Sequence, residues 1–224
     1  MTRIAWNLQQ LPTGADLRTA GNDGARHAVL FASGGAQAHR PGTWSSNYEW
    51  LLPRILGDLP DTRLGWLRWS DRSWSAVASC TRDIEAALDA LVAQGTTSVT
   101  MAGFSMGAGA ALPSARRAEV TGLLGLAPWF PGADFSPLRG KRLRVLHGTR
   151  DGSYAVLPGV PARHSRAAVK QATAQGVDAT WIPIRNGIHG WALRAGPRLV
   201  RLPRADAWRR AIVDELGNLM PAST

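Results

Sequence analysis

The sequence contains a single cysteine, Cys80, among its 224 residues. One cysteine cannot form an internal disulfide, and it excludes a zinc site built from several cysteines. No apolar run approaches the roughly eighteen residues that a membrane span requires. The first ten residues, MTRIAWNLQQ, lack the continuous apolar stretch of a secretory signal. We therefore expect a cytoplasmic protein with no membrane partner.

Lysine is almost absent, since only Lys141 and Lys170 occur, and arginine supplies nearly all of the net charge of +10 at pH 7. A genome-wide preference for arginine and alanine codons explains this charge without a function, and the scattered arginines favour that explanation. The functional alternative is long-range attraction to a polyanion or to an acidic partner protein. The basic clusters at 139–144 and 194–210 lack the aromatic platform of a nucleic-acid module, so no nucleic-acid partner is expected.

The sequence predicts one α/β domain over residues 1–224, because it contains no repeat or linker that would divide it. Short apolar segments alternate with helical ones, which predicts a doubly wound, mostly parallel sheet of about seven to eight strands covered on both faces. The predicted strands span residues 4–8, 27–32, 63–70, 98–104, 120–127, 143–147 and 179–183. The predicted helices span residues 47–56, 77–93, 106–112, 162–175 and 205–219.

The pentapeptide Gly103-Phe104-Ser105-Met106-Gly107 carries the strongest chemical signal. It lies between a predicted strand and a helix of small residues, the setting in which a sharp turn exposes a nucleophilic serine. The two glycines leave space where a Cβ would collide with neighbouring backbone. The helix N-terminus presents N–H groups to developing negative charge. Ser105 is therefore the candidate nucleophile.

A serine hydroxyl needs a base, and the base needs a group that orients it. Asp151 follows the predicted strand at 143–147, and His189, flanked by Gly187 and Gly190, follows the last predicted strand. Carboxyl ends of strands are where open α/β sheets build their sites. Either residue alone would more often be a turn residue, so the argument depends on the order serine, aspartate, histidine.

This arrangement resembles the α/β-hydrolase superfamily, whose members show the same Ser…Asp…His order. The likeness covers roughly residues 28–191, and the GFSMG and HGTRD segments resemble small lidless esterases related to dienelactone hydrolases. The resemblance implies Ser105 as nucleophile, His189 as general base and Asp151 as the triad acid.

An oxyanion hole needs a second backbone donor, from the loop after an early strand. Many members of the superfamily carry His-Gly there, whereas this chain has Ser33-Gly34. We assign the backbone N–H groups of Met106 and Gly35, with Ala36 as the competing choice for the second donor.

The stretch between the predicted strands at 120–127 and 143–147 is too short for the helical cap of larger relatives, which predicts an uncapped site. Three tryptophans lie near the predicted site loops in sequence, and an apolar acyl pocket could use them. These candidate pocket residues are Trp129, Trp191 and Trp44.

The predicted chemistry is hydrolysis of an ester or thioester through an acyl-serine, with a small-molecule or carrier-bound acyl substrate. An acyltransferase that takes its acyl group from a carrier-protein thioester is the main alternative, because acyl carrier proteins are usually acidic. A perhydrolase or cofactor-free haloperoxidase and a non-catalytic binder remain further alternatives. Nothing in the sequence implies a metal or an organic cofactor, and the oligomeric state stays open.

Overall fold

A computed structural model describes residues 4–36, 42–152 and 159–221. Within these ranges the chain forms ten strands and five α-helices. The strands are β1 (Asn7–Gln10), β2 (Asp16–Gly21), β3 (His27–Ala32), β4 (Thr62–Arg68), β5 (Ser98–Phe104), β6 (Val120–Leu126), β7 (Arg142–Gly148), β8 (Asp178–Ile184), β9 (Ala192–Ala195) and β10 (Arg198–Arg201). The helices are α1 (Ser46–Ile55), α2 (Val77–Ala93), α3 (Met106–Ala111), α4 (Ala162–Ala174) and α5 (Ala205–Leu219).

Eight of these strands form one sheet in the order β1-β2-β4-β3-β5-β6-β7-β8. The pairs β1–β2 and β2–β4 are antiparallel, and every pair from β4 to β8 is parallel. This confirms the predicted mostly parallel sheet of seven to eight strands. Strands β9 and β10 form a separate two-stranded hairpin.

Alternate residues of each central strand face opposite apolar layers. In β3, Leu30 belongs to the apolar layer that also contains residues of α2, α3 and α4, whereas Phe31 belongs to the opposite layer with residues of α1 and α5. Side chains of a strand alternate between faces, so a strand buried on both sides is apolar throughout. None of the helices in the described ranges combines the length and the apolar character that crossing a bilayer requires.

Two parts of the predicted secondary structure need correction. The first strand lies at Asn7–Gln10 rather than at 4–8. Strand β2 and the hairpin β9–β10 are absent from the prediction, because their sequences, DLRTAG, ALRA and RLVR, mix charged and apolar residues over short spans. The segment from β6 to β7 contains one short 3-10 turn, Ser136–Leu138, and no cap domain.

Candidate active site

Ser105 stands between the end of β5 and the start of α3 in a strained backbone conformation, with φ 52° and ψ −119°. Its backbone is held from both sides: the Ser105 N–H donates to Leu126 O at 2.9 Å, and Trp129 N–H donates to Ser105 O at 3.0 Å. A serine at positive φ costs free energy and persists only where surrounding contacts impose it. The sequence motif therefore forms the sharp strand-to-helix turn predicted for it.

The glycines of the motif are required by close backbone contacts. A Cβ at Gly103 would come within 3.0 Å of backbone atoms of Gly107 and Ala108. A Cβ at Gly107 would come equally close to the carbonyl groups of Ala32 and Ser33 at the end of β3. This close packing brings the Ser105 turn against the loop that follows β3.

Asp151 and His189 meet at the carboxyl ends of β7 and β8. The His189 Nδ1 lies 2.7 Å from Asp151 Oδ2, as a donor to the carboxylate. This assigns the proton to Nδ1 and leaves Nε2 as an acceptor. The Asp151 side chain is fully buried, whereas 16% of the His189 side chain is exposed.

Two histidines hold the buried Asp151 as a carboxylate. Burial raises the pKa of Asp151, but hydrogen bonds from His147 and His189 oppose that effect and bring the pKa below its ordinary value. His147 is itself fully buried, with its Nε2 at 3.0 Å from Asp151 Oδ2. Asp151 is therefore ionised at neutral pH and able to stabilise positive charge on His189.

The His189 ring is positioned by aromatic packing and by an anchor on α1. Its ring centroid lies 4.8 Å from that of Phe104, which directly precedes Ser105. The Asn47 Oδ1 accepts hydrogen bonds from the backbone N–H groups of Trp191 and Ala192 at 2.8 and 2.9 Å. The segment after His189 is thus fixed to the first turn of α1.

Ser105 and His189 face a common cavity of about 240 Å³. Its lining side chains are mostly apolar, and among the described residues no Asp, Glu, Lys or Arg lines it. The lining residues are Trp74, Ser105, Met106, Trp129, Gly159, Val160 and His189. The Ser105 hydroxyl forms no hydrogen bond to His189 within the described structure; catalytic hydrogen bonds are often looser before substrate binds.

The three tryptophans predicted as pocket residues have different positions. Trp129 lines the cavity. Trp191 is fully buried, packs against Trp208 and donates its Nε1–H to Asn47 O at 2.7 Å, so its assignment to the pocket is wrong. Trp44 packs against Trp66 and lines a separate surface cavity, so it does not belong to the cavity at Ser105 either.

The two candidate oxyanion donors belong to the Ser105 turn and to the loop after β3 that packs against it. The Met106 N–H is the first of α3, where N–H groups have no acceptor within the helix. The side chains of Met106 and Trp74 pack against Gly35, where an added Cβ would collide with both. The Ala36 N–H already donates to Arg72 O at 2.9 Å, which makes Gly35 the better choice of the two.

Several residues of the site were not identified from the sequence. Trp74 precedes α2 and Val160 precedes α4, and neither belongs to a recognisable motif. For Asn47 the sequence predicted only that it begins a helix. His147 could have been singled out, because it is a polar residue in an otherwise apolar strand end, LRVLHG. No group of three or more His, Cys, Asp or Glu side chains suited to a metal ion occurs in the part of the chain that the structure describes.

No family model matches the chain, and no curated protein matches it in sequence. Solved structures do match it over nearly its whole length. An α/β serine hydrolase without a lid from Xanthomonas campestris is 18% identical with a TM-score of 0.72, over 100% of this chain and 98% of the other. A dienelactone-hydrolase-like promiscuous phosphotriesterase from metagenomic libraries is 18% identical with a TM-score of 0.69, over 98% and 100% of the two chains.

An α/β serine hydrolase homologue from Coxiella burnetii gives a similar comparison, with 18% identity and a TM-score of 0.68 over 96% of this chain and 98% of the other. Identities this low establish the fold alone. Together with the strand order and the uncapped segment after β6, they identify the chain as an α/β-hydrolase fold of the lidless type.

Proposed function

We propose that this protein is a serine hydrolase that cleaves an ester or thioester through an acyl-enzyme at Ser105. One observation carries the proposal: Ser105 and His189 line the same cavity, and the second ring nitrogen of His189 is hydrogen-bonded to the buried Asp151. Structures with this fold include proteins named serine hydrolases and esterases, which supports the same chemistry here. Fold alone does not specify function, so the site carries the argument.

In the first step the Ser105 Oγ attacks the acyl carbon while His189 Nε2 takes the hydroxyl proton. Asp151 stabilises the imidazolium that forms. The carbonyl π bond opens, and the resulting oxyanion accepts hydrogen bonds from the backbone N–H groups of Met106 and Gly35. Collapse breaks the bond to the leaving group, which receives the proton from His189, and leaves an acyl-serine.

In the second step His189 takes a proton from water, and the hydroxide oxygen attacks the acyl-serine. The second tetrahedral intermediate collapses, Ser105 regains its proton and the carboxylic acid leaves. The segment between β6 and β7 forms no cap that would exclude water from the acyl-enzyme, which favours hydrolysis over transfer.

The cavity lining supports an uncharged, apolar acyl group. Trp74, Trp129 and Val160 contribute apolar surface, and no arginine, lysine, aspartate or glutamate lines the cavity among the described residues. A charged substituent placed there would lose its hydration without gaining a partner. We therefore expect acetyl, butyryl or phenylacetyl esters to be better substrates than monoesters of dicarboxylic acids, whose acyl group carries a free carboxylate.

A fluorophosphonate probe tests the nucleophile directly. Ser105 Oγ should attack phosphorus, fluoride should leave, and the intact mass should rise by one phosphonyl group. Ser105→Ala should abolish labelling. Ser75→Ala, at the exposed serine that directly follows the cavity residue Trp74 in the sequence, should label at the unaltered rate. Labelling that persists in Ser105→Ala would refute the nucleophile assignment, and a protein that never labels would favour a non-catalytic binder.

The net charge of +10 favours acyl transfer from an acidic carrier protein as a second candidate function. Incubation with an acyl-loaded carrier would then give acyl-Ser105, detected by intact mass, and the rate of loading would fall as salt is raised. Loading that is insensitive to salt would argue against electrostatic docking. Release of the acyl group to an added alcohol or amine, compared with release to water, distinguishes transferase from hydrolase.

A further inference from the structure

His147 is a second histidine in contact with Asp151, and the mechanism proposed above does not use it. It is the penultimate residue of β7 and is fully buried. A polar side chain inside a sheet core costs free energy unless its hydrogen bonds are made there. The partners of its ring therefore indicate why a histidine occupies this position.

Both neighbours of His147 Nε2 are hydrogen-bond acceptors. Val160 O lies 2.8 Å from this nitrogen, and Asp151 Oδ2 lies 3.0 Å from it. Neither oxygen can donate, so Nε2 carries the proton, which is directed to Val160 O and also lies close to the Asp151 carboxylate. His147 Nδ1 has no partner in the described residues, and the buried ring has no access to the substrate cavity. His147 therefore cannot replace His189 as the base.

We propose that His147 is a positioning residue that holds the Asp151 carboxylate and the Val160 segment in the geometry that His189 requires. The inference rests on the proposed function of Ser105 and His189. It goes beyond that function by assigning a role to a residue outside the Ser-His-Asp set.

The same carboxylate oxygen receives both imidazoles. Asp151 Oδ2 accepts a hydrogen bond from His189 Nδ1 at 2.7 Å, and His147 Nε2 lies 3.0 Å from the same oxygen. Two N–H groups at one carboxylate oxygen restrain the rotation of the carboxylate. The N–H group of His147 also partly offsets the negative charge of the carboxylate, which weakens its attraction for His189. Loss of the His147 donor should let the carboxylate rotate and strengthen its attraction for the protonated form of His189.

The hydrogen bond to Val160 connects the triad acid to the wall of the substrate cavity. Val160 lines the cavity, and Gly159 beside it packs so closely on Asp151 Oδ1 that an added Cβ would collide with that oxygen. Through its Nε2–H, His147 in β7 thus contacts both the triad acid and the segment that precedes α4. A change at His147 should disturb the chemical step more than the binding of substrate.

Three substitutions separate positioning from simple packing. In His147→Gln the side-chain amide nitrogen reaches the position of Nε2 and keeps the donor. In His147→Asn the amide is too short to reach Asp151 or Val160, although the residue remains polar. In His147→Leu the buried volume is largely retained and the donor is lost. Thermal unfolding of each variant checks that it folds.

The rate of fluorophosphonate labelling at Ser105 is the first measurement. We expect His147→Asn and His147→Leu to label about 10- to 100-fold more slowly, because each loses the N–H group next to the charged Asp151. His147→Gln should keep most of the rate. With a chromogenic ester, kcat should fall while KM changes little. The acid limb of the rate profile should move to higher pH by about half a pH unit in the Asn and Leu variants.

The second measurement needs no activity. In a Ser105→Ala background, the His189 ring is titrated by NMR, and the His147→Asn and His147→Leu changes should move its midpoint upward relative to His147→Gln. The titratable groups in contact with Asp151 among the described residues are His147 and His189, so both rings are followed. Should His147→Leu fail to fold, the comparison of Asn with Gln decides.

The proposal is overturned if folded Asn and Gln variants label at the same rate with the same acid limb, or if the His189 midpoint does not differ between them. That result leaves the proposed function intact. Absence of Ser105 labelling in the unaltered protein would instead overturn the proposed function, and the NMR titration would still report on His147.

Discussion

At the scale of single residues, Ser105 combines a functional side chain with an unfavourable backbone. Its φ of 52° and ψ of −119° lie in a region that glycine adopts readily and other residues do not. The strain belongs to the backbone, so an alanine at this position keeps it. The site therefore carries a cost in stability that can be measured separately from catalysis.

Replacing Ser105 by glycine should relieve this strain. We expect Ser105→Gly to be more stable than Ser105→Ala by about 1 kcal/mol, the relief of strain being partly offset by the greater freedom of glycine in the unfolded chain. Both variants should fail to label. Urea unfolding midpoints measure the difference, and equal midpoints would show that the backbone strain does not persist in solution.

His27 in β3 should make stability depend on pH. Burial lowers its pKa from 6.5 to about 4, and its two ring nitrogens lie 2.9 Å from Ser98 Oγ and 3.3 Å from Thr100 Oγ1. Below pH 6.5 the unfolded chain takes up a proton that the folded chain excludes, so stability falls as the pH drops from 6.5 towards 4. Below pH 4 this contribution stops changing.

The expected loss is about 2 kcal/mol between pH 7.5 and pH 5, measured as the change in unfolding free energy by urea titration. His27→Gln should lose less over the same interval, because glutamine does not titrate. His164→Gln, at an exposed position on α4, should behave like the unaltered protein. Identical losses in the two variants would contradict the assignment to His27.

At the scale of elements, the sequence predicted those whose apolar spacing is long and regular. Helices α2 and α5 have the predicted bounds, because their apolar residues recur every three or four positions against the sheet. Strand β2 was not predicted because it is short and has no continuous apolar run; its charged side chains contact other segments, where Arg18 stacks on Trp44 at 4.0 Å and Asp16 pairs with Arg68. Those contacts join distant segments, so local periodicity could not reveal them.

The site was predictable to the same extent. Ser105, Asp151 and His189 each follow a strand, and the topology brings strand ends together. Trp191 was misassigned because nearness to His189 in the sequence does not determine where its side chain points. Gly190, between the two residues, has φ +88°, and the Trp191 indole is buried in the core. The Asn47 anchor lies 144 positions away in sequence and has no motif.

Helix α1 should control the reactivity of His189 through that anchor. Asn47→Ala leaves the buried N–H groups of Trp191 and Ala192 without their acceptor, so we expect a loss of about 2–4 kcal/mol in stability and slower labelling of Ser105. Unfolding midpoints and labelling rates measure both. Asn218→Ala, which removes an exposed amide on α5, is the control; equal effects from the two substitutions would argue against the anchor.

At the scale of the whole molecule, one sheet separates two apolar layers, and alternate residues of β3 belong to each. Neither layer can lose its packing while the sheet stays intact. We expect a single unfolding transition in which tryptophan fluorescence, far-UV circular dichroism and loss of Ser105 labelling coincide. An enthalpy near 150 kcal/mol is expected for a domain of this length. Two separated transitions would contradict a single cooperative unit.

Trp74 gives this open site an optical use. Nearly half of its surface is exposed, and its indole lies against Gly35 at the edge of the cavity. Indole emission responds to the polarity of its surroundings, so an acyl group entering beside Ser105 would displace water from this ring and alter its fluorescence. The difference between the unaltered protein and Trp74→Phe would isolate that signal from the other nine tryptophans. The protein thus contains its own reporter for ligand screening.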